Sequence, residues 1–219
     1  MNRLPSLVRQ HIAAFRMLLA FTVLCGIVYP VVMWGIAQVG FKNQADGSLV
    51  SHNGQVVGSS LLCQEFTDAK GNPLPQYFQP RPSNATSGAK NDYGCDAGYS
   101  GAANLGPNNA TLVTNVNQLK AQVAAFNHVP VSEVPPDAVT SSASGLDPDI
   151  SPQYADIQVA RVAAARHLPV ATVQALVGKY TQGRSLGFLG EPRVDVLTLN
   201  IALDEIPGQA AYATAGAGG

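Results

Sequence analysis

Apolar residues dominate the beginning of the chain, where no charged side chain interrupts the 25 residues from Met17 to Phe41. An α-helix rises about 1.5 Å per residue, so about 20 residues cross a hydrocarbon core about 30 Å thick. The run therefore predicts a transmembrane helix over residues 17–39. A cleavable signal peptide is the alternative, but its apolar core would span only about 7–15 residues, and residues 35–40 are a poor cleavage sequence.

Charge is distributed unevenly about this run. Arg3, Arg9 and Arg16 lie before it without any acidic residue, whereas Lys42 alone follows it closely. Basic residues are enriched on the cytoplasmic side of membrane helices. We therefore expect a cytoplasmic N-terminus at residues 1–16 and one extracytoplasmic domain at residues 40–206.

The rest of the chain mixes strand and helix patterns, which predicts an α+β (mixed α/β) domain behind a single N-terminal transmembrane helix. Asn53-Gly54 between two short apolar stretches favours a β-hairpin with a type I′ turn. Ser151-Pro152 is typical of a helix start, with serine as the cap and proline in the first turn. Helical spacing of apolar residues indicates helices that begin near Thr111, Ser151 and Val173.

Two segments leave alternatives open. Residues 67–110 are dense in Pro, Gly, Asn and Ser, which indicates either a long ordered loop or a disordered insert. The alternation from Leu197 to Leu203 is typical of a strand, whereas Asp195 in front of it would suit the cap of a helix. After Pro207 the chain is rich in Gly and Ala, and we expect residues 207–219 to form a disordered tail.

Motifs that would indicate an enzyme are weak. Ser185 lies in a G-x-S-x-G pattern, but all four histidines precede it, whereas the histidine follows the serine in α/β-hydrolases. Ser87 and Lys90 match S-x-x-K without its companion motifs, and no His or Cys spacing suits a metal. We therefore expect a turn at Ser185, no catalytic residue and no metal site, with Arg161 and Arg166 as solvated or paired surface charges.

Charge and cysteine content narrow the picture further. A formal net charge of −1 argues against nucleic acid as a partner. Cys25 lies in the apolar run, whereas Cys63 and Cys95 lie in the part expected outside the cytoplasm, where disulfides persist. These two form a bridge that closes a loop of about 32 residues or remain free thiols, and we favour the bridge.

Several blocks of residues occur in a characteristic order from the apolar run to Asp204. They are Tyr29-Pro30, residues 35–38, Gly58-Ser59, and residues 64–66, 77–83, 100–107, 139–152, 158–163, 190–194 and 197–200. In type and order they resemble the KdpC family, the C subunit of the bacterial potassium-transporting P-type ATPase (Kdp) complex. Cys63 stands where that family usually has glycine, so the bridge would be peculiar to this chain, and Asp195 stands where asparagine is usual.

The resemblance implies a single-pass subunit of the inner membrane with a periplasmic domain. Its expected partners are a channel-like potassium-binding subunit (KdpA), the P-type ATPase subunit (KdpB), a small single-span subunit (KdpF) and the lipid bilayer. ATP and K⁺ would be handled by the complex, so this chain is expected to bind no cofactor, to support assembly and to promote ATP use indirectly. A membrane-anchored periplasmic binding module or hydrolase is the alternative.

Two sets of residues are candidates for partner contacts. Small and polar residues of the apolar run would let a neighbouring helix approach closely and form hydrogen bonds: Gly26, Tyr29, Pro30, Gly35 and Gln38. The Ser-rich block 139–151 lacks apolar periodicity, which favours a docking surface or a tightly structured turn over a plain connection. Its candidate residues are Val139, Thr140, Ser142, Ser144, Gly145 and Asp147.

Overall fold

The structure of the chain is a computed structural model that describes residues 5–90 and 92–206. It forms two compact units, the first ending at Ser48 and the second beginning at Leu49. The tail expected at residues 207–219 lies outside the described residues.

The first unit is one long apolar helix from Ser6 to Gly40 followed by a short one. Its segments are α1 (Ser6–Val23), a π-helical turn (Leu24–Val28), α2 (Tyr29–Gly40) and, after Phe41, α3 (Lys42–Ala45). Pro30 has no N–H to donate, and the wide turn, in which Tyr29 N donates to Leu24 O, carries the helix past the proline ring. The predicted long apolar helix is confirmed, and by length and composition it is a candidate membrane span.

The second unit is an α+β domain, as predicted, and its strands form two small antiparallel sheets. The first sheet pairs β1 (Leu49–His52) with β2 (Gln55–Ser59). The second sheet consists of β3 (Asp149–Ile150), β4 (Thr181–Gln182) and β5 (Arg193–Asp195), and β5 lies between the other two. The helices are α4 (Ala110–Asn127), α5 (Pro152–Ala165), α6 (Val170–Tyr180) and α7 (Val196–Asp204), with 3₁₀ turns at Val131–Glu133 and Pro136–Ala138.

Local signals in the sequence set two of these boundaries directly. Asn53 and Gly54 both have positive φ, 52° and 79°, as the type I′ turn requires, so the predicted hairpin is confirmed. The hydroxyl of Ser151 accepts a hydrogen bond from Tyr154 N at 3.0 Å and caps α5.

The segment from Leu197 to Leu203 is helical, so its strand alternative is wrong. Asp195 Oδ1 accepts a hydrogen bond from Thr198 N at 2.6 Å and caps α7, the other possibility that the sequence left open. Six of the nine residues of α7 are buried, and a helix enclosed on most sides shows no polar face from which its period can be recognised.

The long loop is irregular but ordered where it contacts the core. Within the described residues no helix or strand lies between Ser59 and Ala110. Phe66, Phe78 and Ala85 are nevertheless buried, and Phe66 and Phe78 belong to the same apolar core as α5, α6 and α7. Of the two interpretations of this segment, a long ordered loop is therefore correct where the loop contacts the core, rather than a disordered insert.

Candidate functional site

Two buried side-chain amides attach the long loop to the helices. Gln158 of α5 accepts a hydrogen bond from Gln79 N at 2.7 Å and donates to Gln79 O at 3.2 Å. Asn200 of α7 forms the equivalent pair with Phe78, with both distances 2.9 Å. Each amide supplies one donor and one acceptor, so it satisfies a backbone residue that has no strand partner. Both amides are fully buried, so the course of this loop is fixed from inside the domain.

Arg161 strengthens the same attachment, and the expectation of a surface charge is wrong for it. The residue is only 6% exposed. Its guanidinium donates hydrogen bonds to the carbonyl oxygens of Pro75 and Tyr77 and to the side chains of Asn127 and Gln158. Burial lowers its pKa to about 10. The carbonyl groups that accept its hydrogen bonds lie more than 80 positions earlier in the chain, so the local helical pattern could not predict that Arg161 is buried.

Arg166 is paired, but it is not on the surface. It is 5% exposed and its Nη2 lies 2.8 Å from Oδ1 of Asp204, which is also buried. Its Nε donates to Gln76 O and its guanidinium lies over the ring of Tyr77. The ion pair therefore connects α5, α7 and the long loop, and removal of either partner would leave a buried charge uncompensated.

The long loop and the Ser-rich block together form what we call the loop surface, residues 81–101 and 139–147, of which residue 91 is not described. A disulfide joins Cys63, near the beginning of the long loop, to Cys95 within this surface, with their Cα atoms 5.4 Å apart. Ser83 Oγ donates to Gly145 O at 2.7 Å and accepts from Cys95 N at 2.8 Å. The bridge and the Ser-rich block are thus connected through one hydroxyl.

Backbone geometry at Gly145 explains why the block needs glycine there. Its φ is +72°, and a Cβ would lie 2.6 Å from the carbonyl oxygen of Gly101 and 2.8 Å from Ala85 N. Ser142 Oγ accepts from Gly145 N at 2.9 Å, and Ser144 O accepts from Gly101 N at 2.8 Å. The block is therefore a tightly structured turn, one of the two interpretations that the sequence favoured.

The other predicted residues of this block take different positions. Asp147 pairs with Arg81 across the loop surface at 2.8 Å, and Val139 is buried. Thr140 and Ser142, together with Val139, line an open groove of about 400 Å³ whose other side includes Leu112 of α4. The structure thus brings all six residues together, as members of the turn or of the groove beside it.

The candidate residues of the apolar helix are accessible within this chain. Among residues 5–90 and 92–206, no atom beyond the adjacent residues and the backbone of the helix itself lies within 4 Å of a Cβ built at Gly26 or Gly35. Tyr29 is exposed beside Pro30. Gln38 already donates a hydrogen bond within the chain, to Asp46 Oδ1 at 3.3 Å.

Comparison with known proteins adds a direct finding. A family model described as "KdpC: K+-transporting ATPase, c chain" matches residues 11–205. The chain belongs to the KdpC family. It is 47% identical to the "Potassium-transporting ATPase KdpC subunit" of Streptomyces avermitilis over 94% of this chain and 97% of that protein. The subunits of the same name from Beijerinckia indica and Mycobacterium tuberculosis are 47% and 45% identical, over 89% and 90% of this chain and 93% and 99% of theirs.

Within this KdpC-family chain, the G-x-S-x-G pattern forms a turn, as predicted. Ser185 N donates to Leu189 O, and Leu189 N donates to Ser185 O, both at 2.9 Å. The serine is exposed at the end of this small loop between β4 and β5, without the helix that follows a nucleophile elbow. In the described part of the chain, no group of three or more His, Cys, Asp or Glu residues is arranged to hold a metal.

The same loop carries a feature that the sequence analysis missed. Leu186 is 82% exposed and Phe188 is 72% exposed, with Leu189 beside them, so three large apolar side chains face solvent at one tip. The tip is closed by the hydrogen bonds of Ser185, and an ion pair of 2.6 Å joins Arg184 to Glu191 at its base. Three large apolar residues among glycines, without a helix or strand pattern, are the signal that could have indicated it.

Proposed function

We propose that this chain is a non-catalytic subunit of a K⁺-transporting ATPase that acts by binding the other subunits. The observation that carries this proposal is the family match, which spans both the apolar helix and the α+β domain. The relatives at 45–47% identity bear the name of the KdpC subunit of a potassium-transporting ATPase. The partners are then the channel-like KdpA, the ATPase KdpB and the small KdpF, with ATP and K⁺ bound by the complex and ATP use promoted indirectly.

The topology proposed for this role is a single membrane crossing with the α+β domain in the periplasm. The absence of acidic residues before Met17, with three arginines there, supports it. An alkaline phosphatase fusion at residue 210 should be active, whereas a fusion before Arg16 should be inactive. The reverse pattern of activities would place the domain in the cytoplasm and contradict the proposal.

Attachment in the membrane is proposed to involve close packing at Gly35, because no side chain of the described residues occupies the space beside it. Gly35→Leu should reduce co-purification of the other subunits while the α+β domain stays folded. Val32→Leu, which exchanges one exposed apolar side chain for another on the same helix, is the matched control and should retain the partners. Wild-type stoichiometry in the glycine variant would rule out close packing at this position.

Attachment of the domain is proposed to involve the apolar tip of the β4–β5 loop. Arg184 is paired with Glu191 and Arg193 with Asp149, so these arginines offer no unpaired positive charge for an anionic lipid surface. A closed loop with apolar side chains and a polar base suits a protein pocket instead. The double variant Leu186→Ser with Phe188→Ser should weaken retention in the complex, whereas Val131→Ser, also exposed and apolar, should not.

A hydrolase centred on Ser185 is the competing function, and one substitution separates the two. Ser185→Ala should leave potassium-limited growth and the ATPase activity of the complex unchanged, since the hydroxyl has only a surface position in the turn. A loss of about a thousandfold or more, the size expected for removal of a nucleophile, would support the hydrolase.

A further inference from the structure

A cavity of about 210 Å³, open to solvent on one side, lies between α4, the start of α5 and the long loop. The loop contributes Glu65 and Arg81, α4 contributes Leu119, Val123 and Phe126, and α5 contributes Tyr154. Its volume corresponds to that of about seven water molecules, which leaves room for a ligand of roughly five to eight non-hydrogen atoms.

Two polar groups of this cavity have no partner in the part of the chain that the structure describes. Tyr154 is only 4% exposed, yet its hydroxyl forms no hydrogen bond with any described residue. Every fully buried side-chain oxygen among the described residues has a hydrogen-bond partner, so the unpartnered Tyr154 hydroxyl keeps some accessible surface, and Tyr154 lines the cavity. The carboxylate of Glu65 likewise has no hydrogen-bond donor within the described residues. A buried hydroxyl and a carboxylate that line one cavity without hydrogen-bond partners are the polar features expected of a ligand site.

The charges around the cavity favour a cationic ligand. Burial and the nearby carboxylate of Asp92 raise the pKa of Glu65 to about 7. Arg81 is compensated by Asp147, and four oxygen atoms accept from the guanidinium of Arg161. The carboxylate of Asp137, on the 3₁₀ turn, is bound to Ser151, and the residues by which α4 lines the cavity are uncharged. An ammonium group beside Glu65 would therefore stabilise the ionised carboxylate.

The walls favour an organic cation over a metal ion. Leu119, Val123, Phe126 and the prolines of the loop make much of the lining apolar. A metal such as Ca²⁺ needs about six to eight oxygen ligands, whereas Glu65 and Tyr154 offer three unpartnered oxygens between them.

We propose that this cavity binds a small alkylammonium ion, with its nitrogen between the Glu65 carboxylate and the Tyr154 hydroxyl. Two N–H groups donate to these oxygens, and the hydrocarbon packs against Leu119, Val123 and Phe126. Binding requires the ionised carboxylate, so it is coupled to release of a proton from Glu65. This inference is independent of the proposed function, since it rests on the cavity alone.

The test is calorimetric titration of the full chain in detergent with n-butylammonium chloride as the probe. Potassium chloride carries the charge without the hydrocarbon, and n-butanol carries the hydrocarbon without the charge. We expect n-butylammonium to bind more tightly than either, and roughly tenfold more weakly at pH 6 than at pH 8 because Glu65 is then mostly neutral.

Substitutions assign the binding to this cavity. Glu65→Gln should weaken binding roughly tenfold or more, as loss of a charge-assisted hydrogen bond predicts, and Tyr154→Phe should weaken it several-fold. The matched control is Glu133→Gln, which removes an exposed carboxylate outside the cavity and should change nothing. Circular dichroism verifies that each variant is folded. Undetectable binding of n-butylammonium at pH 8, equal affinity in folded Glu65→Gln, or equal affinity for n-butanol would each overturn the proposal.

Discussion

At the scale of single residues, the domain depends on polar side chains that substitute for secondary structure. The segment of the long loop at Phe78 and Gln79 is buried but belongs to no sheet, and a buried backbone group without a partner costs about 1–3 kcal/mol. Asn200 and Gln158 remove that cost because each bonds both backbone groups of one residue. The loop therefore owes its course to two amides of the helices.

This explanation predicts that Asn200→Ala destabilises the domain by roughly 2–4 kcal/mol, because both backbone groups of Phe78 lose their partner. Chemical denaturation followed by circular dichroism measures the change. Asn117→Ala, on an exposed position of α4, is the control and should have an effect close to zero. Equal stability of the two variants would show that the amide is not what holds the loop.

The raised pKa of Glu65 predicts a pH dependence of stability. Its carboxyl has a pKa of about 7 in the folded protein and about 4.5 when unfolded. Because the pKa of this carboxyl is higher in the folded than in the unfolded protein, its contribution to the free energy of unfolding is fully present below about pH 4.5. That contribution is lost as the pH rises through 7.

Glu65→Gln has no carboxyl to titrate, so it should not lose this stability as the pH rises. The free energy of unfolding of the variant minus that of wild type should therefore increase by at most about 3 kcal/mol between pH 5 and pH 8. Denaturation at both pH values measures the difference. Glu133→Gln, at an exposed carboxylate, should track wild type. A difference between Glu65→Gln and wild type that does not change with pH would contradict the shifted titration.

At the scale of elements, the chain shows which features a sequence can predict. The hairpin at Asn53-Gly54 and the start of α5 at Ser151 depend on neighbouring residues, and both were predictable from local patterns. Arg161 and α7 depend instead on contacts between distant parts of the chain, since a long loop and several helices enclose them. Local periodicity cannot report such burial, so an arginine was expected in solvent and a helix could not be distinguished from a strand.

The loop surface offers a prediction at the same scale, with a matched control. Gly145→Ala should destabilise the domain by more than about 1 kcal/mol, because φ is +72° and the new Cβ would lie 2.6 Å from Gly101 O. Gly178→Ala should instead stabilise it by up to about 1 kcal/mol, since that site is open and helical. Thermal or chemical denaturation of both variants measures the contrast. The same sign of effect in both would contradict this description of the turn.

The bridge between Cys63 and Cys95 gives a further prediction for the loop surface. In the chain-entropy model a closed loop of 32 residues contributes about 3–4 kcal/mol, so Cys63→Ser should lower stability by an amount of that order. The first measurement is alkylation of the unreduced, unfolded protein followed by mass spectrometry, which should find Cys25 modified and the other two protected. Modification of all three thiols would show that the bridge is absent.

At the scale of the whole molecule, three features are consistent with the proposed role of a subunit that binds other proteins. The apolar helix is exposed along its length within this chain, the apolar tip faces solvent, and the loop surface is tied together by the Cys63–Cys95 bridge and the hydrogen bonds of Ser83. The sequence blocks were sufficient to predict the family, because they span helix and domain alike. They could not predict the tip, since its exposure is a property of the folded domain.

Attachment to a K⁺-transporting ATPase is the central claim, and purification of the affinity-tagged chain from mildly solubilised membranes tests it most directly. The eluate is assayed for its subunits and for ATP hydrolysis with and without K⁺. The account predicts that the channel-like and ATPase subunits co-purify in fixed proportion with K⁺-stimulated hydrolysis, and that the isolated chain hydrolyses no ATP. Elution of the folded chain alone, or hydrolysis by the chain without partners, would contradict it.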